Sequence, residues 1–350
     1  MKLISIWIIN LIFTYFLVAA VSESDVFREK ITVIGGGAYG TALALNWHNS
    51  GTKVSLLVRS KAIKEQMKID GENTLHLPSI PLGNLDITDD PYSCQTSNCI
   101  VMAIPSQCYS LYLQSFAEYI QENTPIVIAS KGLDNNSGTF LSNLFMKTLK
   151  NPVLVFSGPQ FAKELAVSEP SCVALAHTDE VTLHKVAAIL GCRKMTIFQT
   201  TDMLGVQLSG AIKNILAVGC GILRGKKCGE NTIAKFIILG IKEFGCINSF
   251  IGGKQETLLG PAGFGDIFLT CTSLQSRNNL FGLRIGRNES LADLVGENVL
   301  SEGYYATSSI YKLVYQHQLE IPLIKCMYEI LFNNQNTNNL IELLCASSYS

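Results

Sequence analysis

The segment Ile31-Thr32-Val33-Ile34-Gly35-Gly36-Gly37-Ala38-Tyr39-Gly40 constrains this chain more than any other. A short apolar run enters G-x-G-x-x-G, and Thr41-Ala42-Leu43-Ala44-Leu45 continues as a helix of small residues. Gly35 permits the tight turn, Gly37 lets the backbone approach a pyrophosphate, and Gly40 lets the helix lie close on the strand. The free N–H groups at the helix start face the anion. Glycine-rich loops are common, and a purely structural turn is the plainer alternative. Here a second apolar run, Lys53–Val58, follows at the distance that closes a βαβ unit. The context therefore favours a dinucleotide site.

From Ile31 to about Gln199 apolar strands alternate with helical stretches. Predicted strands are Cys99–Ile104, ending at Pro105, then Pro125–Ala129, Val153–Phe156, Cys172–Ala176 and Met195–Gln199. Ser106 is read as the cap of a helix over Gln107–Ile120, and Pro78–Pro91 as a Pro/Gly/Asp-rich loop. Continuous apolar strands between helices imply a mostly parallel sheet covered on both faces. Ligands of such sheets bind beyond the carboxyl ends of strands, where Arg59, Pro105-Ser106, Lys131 and Gly158 lie. After Asp202, a plausible N-cap, the pattern turns helical: Met203–Leu223, Asn231–Phe244, Asp266–Leu274, Asn278–Ile285, Ala306–Gln316 and Leu323–Phe332. The expected organisation is α/β: a leader over 1–29, a Rossmann-like domain over 30–203, and an all-helical domain over 204–350.

Three hundred and fifty residues suit two ordinary domains, and a net charge of −1 gives no electrostatic case for nucleic acid. The 11 cysteines lack C-x-x-C spacing and the five histidines are dispersed, so neither a disulfide framework nor a metal site is expected. Buried thiols of this kind fit a reducing compartment. The exception is Leu3–Val21, a near-continuous apolar run behind Lys2. Its length suits a bilayer span, and it also resembles a signal-peptide core. A third reading starts the functional chain near residue 30. A cytoplasmic catalytic body is the expectation, with a membrane tether through this run as the alternative.

Lys213 lies in Leu208-Ser209-Gly210-Ala211-Ile212-Lys213-Asn214-Ile215-Leu216, a helix with few other charges. A lysine among apolar turns either faces a polar cleft, where a lowered pKa suits it to proton transfer, or snorkels at a domain edge. Asp266 follows the glycine-rich loop Gly260–Gly265 and could cap a helix, or orient a lysine or a substrate hydroxyl. Arg277, in Ser276-Arg277-Asn278, could grip a phosphate beside helix N-terminal amides or sit solvated on the surface.

Together these motifs resemble the bacterial-type NAD(P)-dependent glycerol-3-phosphate dehydrogenase family, from about Ile31 to Phe332. The resemblance rests on seven stretches in order. They are the Gly35–Gly40 loop, Ser130-Lys131-Gly132-Leu133, Ser157–Glu164, Gly205–Leu208 with Ala211–Asn214, Gly265-Asp266 with Leu269–Thr272, Ser276-Arg277-Asn278 with Phe281-Gly282, and Glu302-Gly303. It implies that Lys213 accepts and returns the proton and that Lys131 touches cofactor and substrate. It implies a substrate site of Gly158, Gln160, Asp266, Ser276, Arg277 and Asn278 with the two lysines. It implies cofactor contacts at Ala38, Tyr39, Arg59, Lys131, Ala162, Arg277, Leu300 and Glu302 besides the glycines. The implied reaction moves hydride between NADH or NADPH and dihydroxyacetone phosphate, giving glycerol 3-phosphate for phospholipid synthesis. No metal is implied, and a homodimer is possible. Gln160 departs from the small hydroxyl residue usual in the family, Leu300 replaces a commoner valine, and the Gly229–Lys235 stretch lacks an arginine. Two other readings remain at this stage: another two-domain 3-hydroxy-acid dehydrogenase, or a non-catalytic dinucleotide-binding protein.

Overall fold

A computed structural model of the chain describes residues 29–134, 138–296, 301–315 and 317–346. The apolar run Leu3–Val21 and Leu300 lie outside the described residues.

Strand β1 (Lys30–Ile34), helix α1 (Ala38–Asn49) and strand β2 (Lys53–Leu57) form the expected unit, with β1 and β2 parallel from Lys30↔Lys53 to Ile34↔Leu57. Ser60 caps α2 (Lys61–Asp70), accepting a hydrogen bond from the Ile63 N–H. The stretch read as a loop over Pro78–Pro91 is partly ordered instead. A small ribbon pairs β3 (Glu72–Asn73) with β4 (Leu77–Pro81), and β5 (Asp86–Thr88) adds an edge strand beside β2. Only Ile87 of β5 is well buried, so no alternation reveals it; Ser55 fixes it by donating to Asp86 Oδ2 at 2.6 Å.

Strand β6 (Cys99–Met102) pairs with the other side of β1. The helix predicted over Gln107–Ile120 is shorter, α3 (Tyr109–Phe116), set between 3₁₀ turns at Ser106–Cys108 and Ala117–Tyr119. Ser106 lies inside the first turn rather than capping α3. There follow β7 (Ile126–Ile128), α4 (Leu141–Thr148), β8 (Val153–Ser157), α5 (Ala162–Ala166), β9 (Ser171–Ala176), α6 (Glu180–Leu190) and β10 (Met195–Thr200).

The eight strands lie in the order β10-β9-β8-β7-β6-β1-β2-β5, and every pairing is parallel except β8 with β9. The mostly parallel Rossmann-like sheet is therefore present, with one reversal that sends β9 and β10 the other way. The strand order turns back at β1 and β6, and the crevice beyond their carboxyl ends is where such sheets bind ligands. Ile31 and Val33 pack into one apolar core and Ile34 into another, as befits a sheet covered on both faces.

Asp202 caps α7 (Met203–Gly225), accepting from the Gly205 N–H at 2.8 Å as its sequence predicts. The remainder is helical: α8 (Glu230–Phe250), α9 (Gln255–Leu259), α10 (Asp266–Thr272), α11 (Arg277–Gly286), α12 (Leu291–Gly296), α13 (Glu302–Tyr315), α14 (Pro322–Phe332) and α15 (Asn338–Cys345). Sequence patterning missed α9, α12 and α15, which run to eight residues at most and so carry little periodicity. α7 is long and apolar enough to cross a membrane, but it is buried as the axis of this half. α11 lies so close that a Cβ on Gly282 would stand 2.0 Å from the Val218 carbonyl oxygen. That contact joins the helices carrying Lys213 and Arg277 into one rigid pair.

Candidate active site

The glycine loop opens the site. Gly35 has φ +128°, and a Cβ there would come within 2.4 Å of the Ala103 carbonyl oxygen. A Cβ on Gly40 would stand 2.0 Å from the Gly35 carbonyl oxygen, so both positions exclude side chains. Gly37 differs: a Cβ there meets nothing within 4 Å. The open space lies at the start of α1, where no side chain caps the helix and its first turn carries no acidic residue. Free amides and an open cradle at a helix N-terminus suit a pyrophosphate.

Asp266 is the electrostatic centre. It does not cap α10, whose N-cap is Gly265; its carboxylate instead serves two lysines. Lys131, placed just after β7, donates from Nζ to Asp266 Oδ2 at 2.6 Å and to the Gly158 carbonyl oxygen at 3.1 Å. Lys213, on α7, donates to Asp266 Oδ1 at 2.8 Å and to Thr270 Oγ1 at 3.2 Å. Thr270 also donates to Asp266 Oδ1 at 3.1 Å. The three charged side chains are almost wholly buried. Burial, together with the Lys131 ammonium, lowers the Lys213 pKa to about 8 against the pull of Asp266. Asp266 itself resists the burial that would raise its pKa, because the two ammoniums hold it below the ordinary carboxylate range. Lys131 titrates above its usual value: Asp266 overcomes its desolvation.

Glycines let these elements meet. A Cβ on Gly210 would stand 3.3 Å from Lys131 Cβ, and one on Gly158 would stand 2.6 Å from the Cys172 carbonyl oxygen. The Tyr39 ring lies beneath Lys131, with Nζ 5.9 Å from its centroid, and the Tyr39 hydroxyl donates to Gln160 Oε1 at 2.7 Å.

Beside the cluster runs a cleft of 330 Å³, walled by residues that include Ser106, Lys131, Arg277, Asn278 and Glu302. Arg277 is exposed there at the start of α11, whose N-cap Ser276 accepts from the Asn279 N–H at 3.3 Å. Asn278 donates to Asn214 Oδ1 at 2.8 Å and accepts from the Gly303 N–H at 2.9 Å. Asn214 in turn donates to Glu302 Oε2 at 3.2 Å. Thus Lys131, Lys213, Asp266 and Gly158 meet at one point, and Arg277, Asn278 and Glu302 line the adjoining cleft. Ala162 begins α5 and packs against the apolar core under the glycine loop, and Arg59 is exposed just beyond β2. Sequence reasoning did not single out Thr270 or Asn214 as site residues. The available signal was spacing: Thr270 is four residues, about one helical turn, after Asp266, and Asn214 adjoins Lys213. Among the described residues no group of three histidine, cysteine or acidic side chains is placed to hold a metal ion.

The sequence matches two family models, NAD-dependent glycerol-3-phosphate dehydrogenase N-terminus over residues 30–183 and C-terminus over residues 202–342. It is 34% identical over 322 residues to glycerol-3-phosphate dehydrogenase [NAD(P)+] of Haemophilus ducreyi, covering 90% of this chain and 96% of that one. The enzyme of the same name from Pseudoalteromonas translucida is 34% identical over 316 residues, 88% of this chain and 94% of the relative. The crystal structure of glycerol-3-phosphate dehydrogenase from Coxiella burnetii superimposes with a TM-score of 0.86 at 33% identity, covering 91% of this chain and 99% of that one.

Proposed function

The chain belongs to the NAD-dependent glycerol-3-phosphate dehydrogenase family, and from that premise we propose that its buried lysine–carboxylate cluster interconverts dihydroxyacetone phosphate and glycerol 3-phosphate. The carrying observation is the pair of ammoniums that share Asp266 beside an open glycine cradle. The cradle fits a nicotinamide dinucleotide, which when bound supplies or accepts the hydride. Gly35, Gly37, Ala38, Tyr39 and Gly40 would hold it, with Arg59, Ala162, Leu300, Glu302, Lys131 and Arg277 as further contacts.

The protein's own groups do the rest. In reduction the central carbonyl oxygen gains negative charge and needs both a proton and a positive field. Lys213, with a pKa lowered to about 8, gives that proton near neutral pH and takes it back in the reverse direction. Lys131 keeps its charge and supplies the field. Asp266 holds both ammoniums in register and stays ionised. Arg277, Ser276 and Asn278 at the start of α11 take the phosphate, since helix N-terminal amides and a guanidinium favour an anion. Gly158 helps to hold Lys131, whose Nζ donates to its carbonyl oxygen.

A 3-hydroxy-acid dehydrogenase or a non-catalytic dinucleotide binder would need neither the paired lysines nor the phosphate wall. Incubating the purified protein with dihydroxyacetone phosphate and NADH or NADPH, and following nicotinamide absorbance, tests the reading; no substrate-dependent oxidation would end it.

The same reading gives the reaction a biosynthetic role, supply of glycerol 3-phosphate to phospholipids. It divides the chain functionally into 30–203 and 204–350, and it places the catalytic body in the cytoplasm. All eleven cysteines are free, which suits a reducing compartment. Two assembly expectations accompany it, a homodimer and a tether through Leu3–Val21. Light scattering and membrane fractionation test them, and recovery of the native enzyme outside the cell would overturn the placement.

A further inference from the structure

We infer that Gln160 is a positioning residue that ties the dinucleotide loop to the lysine–carboxylate cluster by holding Tyr39. The inference rests on the dehydrogenase reading above and adds a role within it.

Tyr39 is the second residue of α1, on the glycine loop itself. Its hydroxyl donates to Gln160 Oε1 at 2.7 Å, and Gln160 Nε2 donates to Ser171 Oγ at 3.2 Å. Both ends of the amide are therefore engaged within the protein, and the side chain is fixed between the loop after β8 and the start of β9. The Tyr39 ring is held at its far end by this bond. Its face then lies under the Lys131 ammonium, 5.9 Å away, where the ring quadrupole attracts the charge. Lys131 in turn grips Asp266 at 2.6 Å, and Asp266 grips Lys213 at 2.8 Å. A continuous series of contacts thus runs from β9 through Gln160 and Tyr39 to the proton-carrying lysine. Burial pushes the Tyr39 phenol up to about 12, so its hydroxyl stays protonated and remains a donor across the working pH range.

A side chain used this way acts on the loop that cradles the dinucleotide. Its loss should loosen dinucleotide binding and blur the Lys131 position, without removing a contact to the sugar phosphate.

The test uses the full chain with Gln160→Met, Tyr39→Phe and the double variant. Dinucleotide Kd is read from nicotinamide fluorescence, and kcat and both KM values from turnover. Each single variant should raise the NADPH Kd about tenfold, the scale of one neutral hydrogen bond. The double variant should be no worse than either single one, because both remove the same bond. The kcat should fall, and KM for dihydroxyacetone phosphate should stay within about twofold. Gln160→Met raising only the KM for dihydroxyacetone phosphate would show that Gln160 touches substrate, and would overturn the inference. Effects that multiply in the double variant would overturn it as well. Should Gln160→Met fail to fold, Tyr39→Phe keeps the ring and decides alone: an unchanged dinucleotide Kd refutes the coupling. A wild-type protein that binds dinucleotide without turnover would break the dehydrogenase reading, and the Kd cycle would still decide this one. A wild-type protein that binds no dinucleotide overturns both.

Discussion

Lys213 Nζ lies 2.8 Å from Asp266 Oδ1, and the carboxylate's other oxygen is already taken by Lys131. One negative charge therefore faces two positive ones in a site that is almost wholly buried. Such a cluster keeps net positive charge, and the two lysines cannot both be fully stabilised by one partner. Lys213 is the one left short: its pKa falls to about 8 while that of Lys131 rises. Two identical side chains thus acquire different roles, one movable proton and one permanent charge, from their placement alone.

Removal of the movable proton is the first test. Lys213→Ala should lower kcat by ~10²–10⁴, the usual contribution of a positioned acid–base group. The helix should survive, since alanine is a better helix former than lysine and α7 is packed by its other faces. Circular dichroism checks the fold and steady-state kinetics the rate. A folded variant with near-normal kcat would remove Lys213 from the mechanism.

The pH dependence follows from the same asymmetry. Reduction needs protonated Lys213, so its rate should decline as pH rises through about 8, and the rate of alcohol oxidation should climb over the same range. Because the cluster titrates as a unit, the limb belongs to the site rather than to one amine. Asp266→Asn removes the group that raises the Lys213 pKa, so the residual activity should show its limb at lower pH. Stability gives a second readout. The Asp266 pKa is depressed on folding, so its stabilisation is present above the unfolded value of 3.8 and is lost as pH falls through the folded one. The Asn variant should be less stable at neutral pH and should lose less on acidification. A pH–rate profile flat between 7 and 9 would contradict the assignment.

Arg277 is exposed on the cleft wall, positioned by the Ser276 cap of α11. Charge-assisted contacts to phosphate are worth ~1.5–3 kcal/mol, so Arg277→Ala should raise the KM for dihydroxyacetone phosphate by roughly 10–150-fold. Some loss of dinucleotide affinity should accompany it. Unchanged values for both ligands would leave Arg277 a surface residue.

The legible and illegible parts of this molecule differ for physical reasons. Most inner strands of the sheet were readable because they are largely apolar runs, and α7 because a buried helix is apolar almost all round. β5 was not, since one buried residue between polar neighbours gives no period. The reversal at β9 left no mark either: a buried strand reads the same in both directions. Within the site, Gly35, Gly40 and Lys213 were visible because a glycine or a lone lysine is out of place in its setting. The meeting of Lys131 with Asp266, separated by 135 positions, depends on tertiary packing and carries no local signature. The partnership of Tyr39 with Gln160 is hidden in the same way.

Cofactor preference turns on the end of β2. Where NAD-selective folds often set an acidic residue to bind the ribose hydroxyls, this chain has exposed Arg59, the cap Ser60, and Lys61. A cationic rim accepts a 2′-phosphate, so NADPH should serve at least as well as NADH in kcat/KM. Arg59→Ala should reduce the NADPH value more than the NADH value. A strong NADH preference in the wild type would mean that Arg59 only stacks on adenine.

Two glycines separate binding from folding. Gly282 meets the backbone of α7, where a Cβ would stand 2.0 Å from the Val218 carbonyl oxygen and 3.0 Å from the Ile222 nitrogen. Neither atom can retreat without moving the helix that carries Lys213. Gly282→Ala should therefore cost at least the ~1–3 kcal/mol of an overpacked core, or several degrees in Tm. Gly37 has φ −75°, which any residue adopts, and a Cβ there meets open space. Gly37→Ala should leave Tm within about a degree, since a substitution without strain or lost contact changes stability by under ~0.5 kcal/mol. The methyl would instead stand where the pyrophosphate approaches, so the dinucleotide Kd should rise. Thermal unfolding without ligand, set beside nicotinamide fluorescence titrations, measures both effects on the same samples. A Gly37→Ala protein that binds dinucleotide normally would mean that the open cradle is not the phosphate site, whatever the stability of Gly282→Ala.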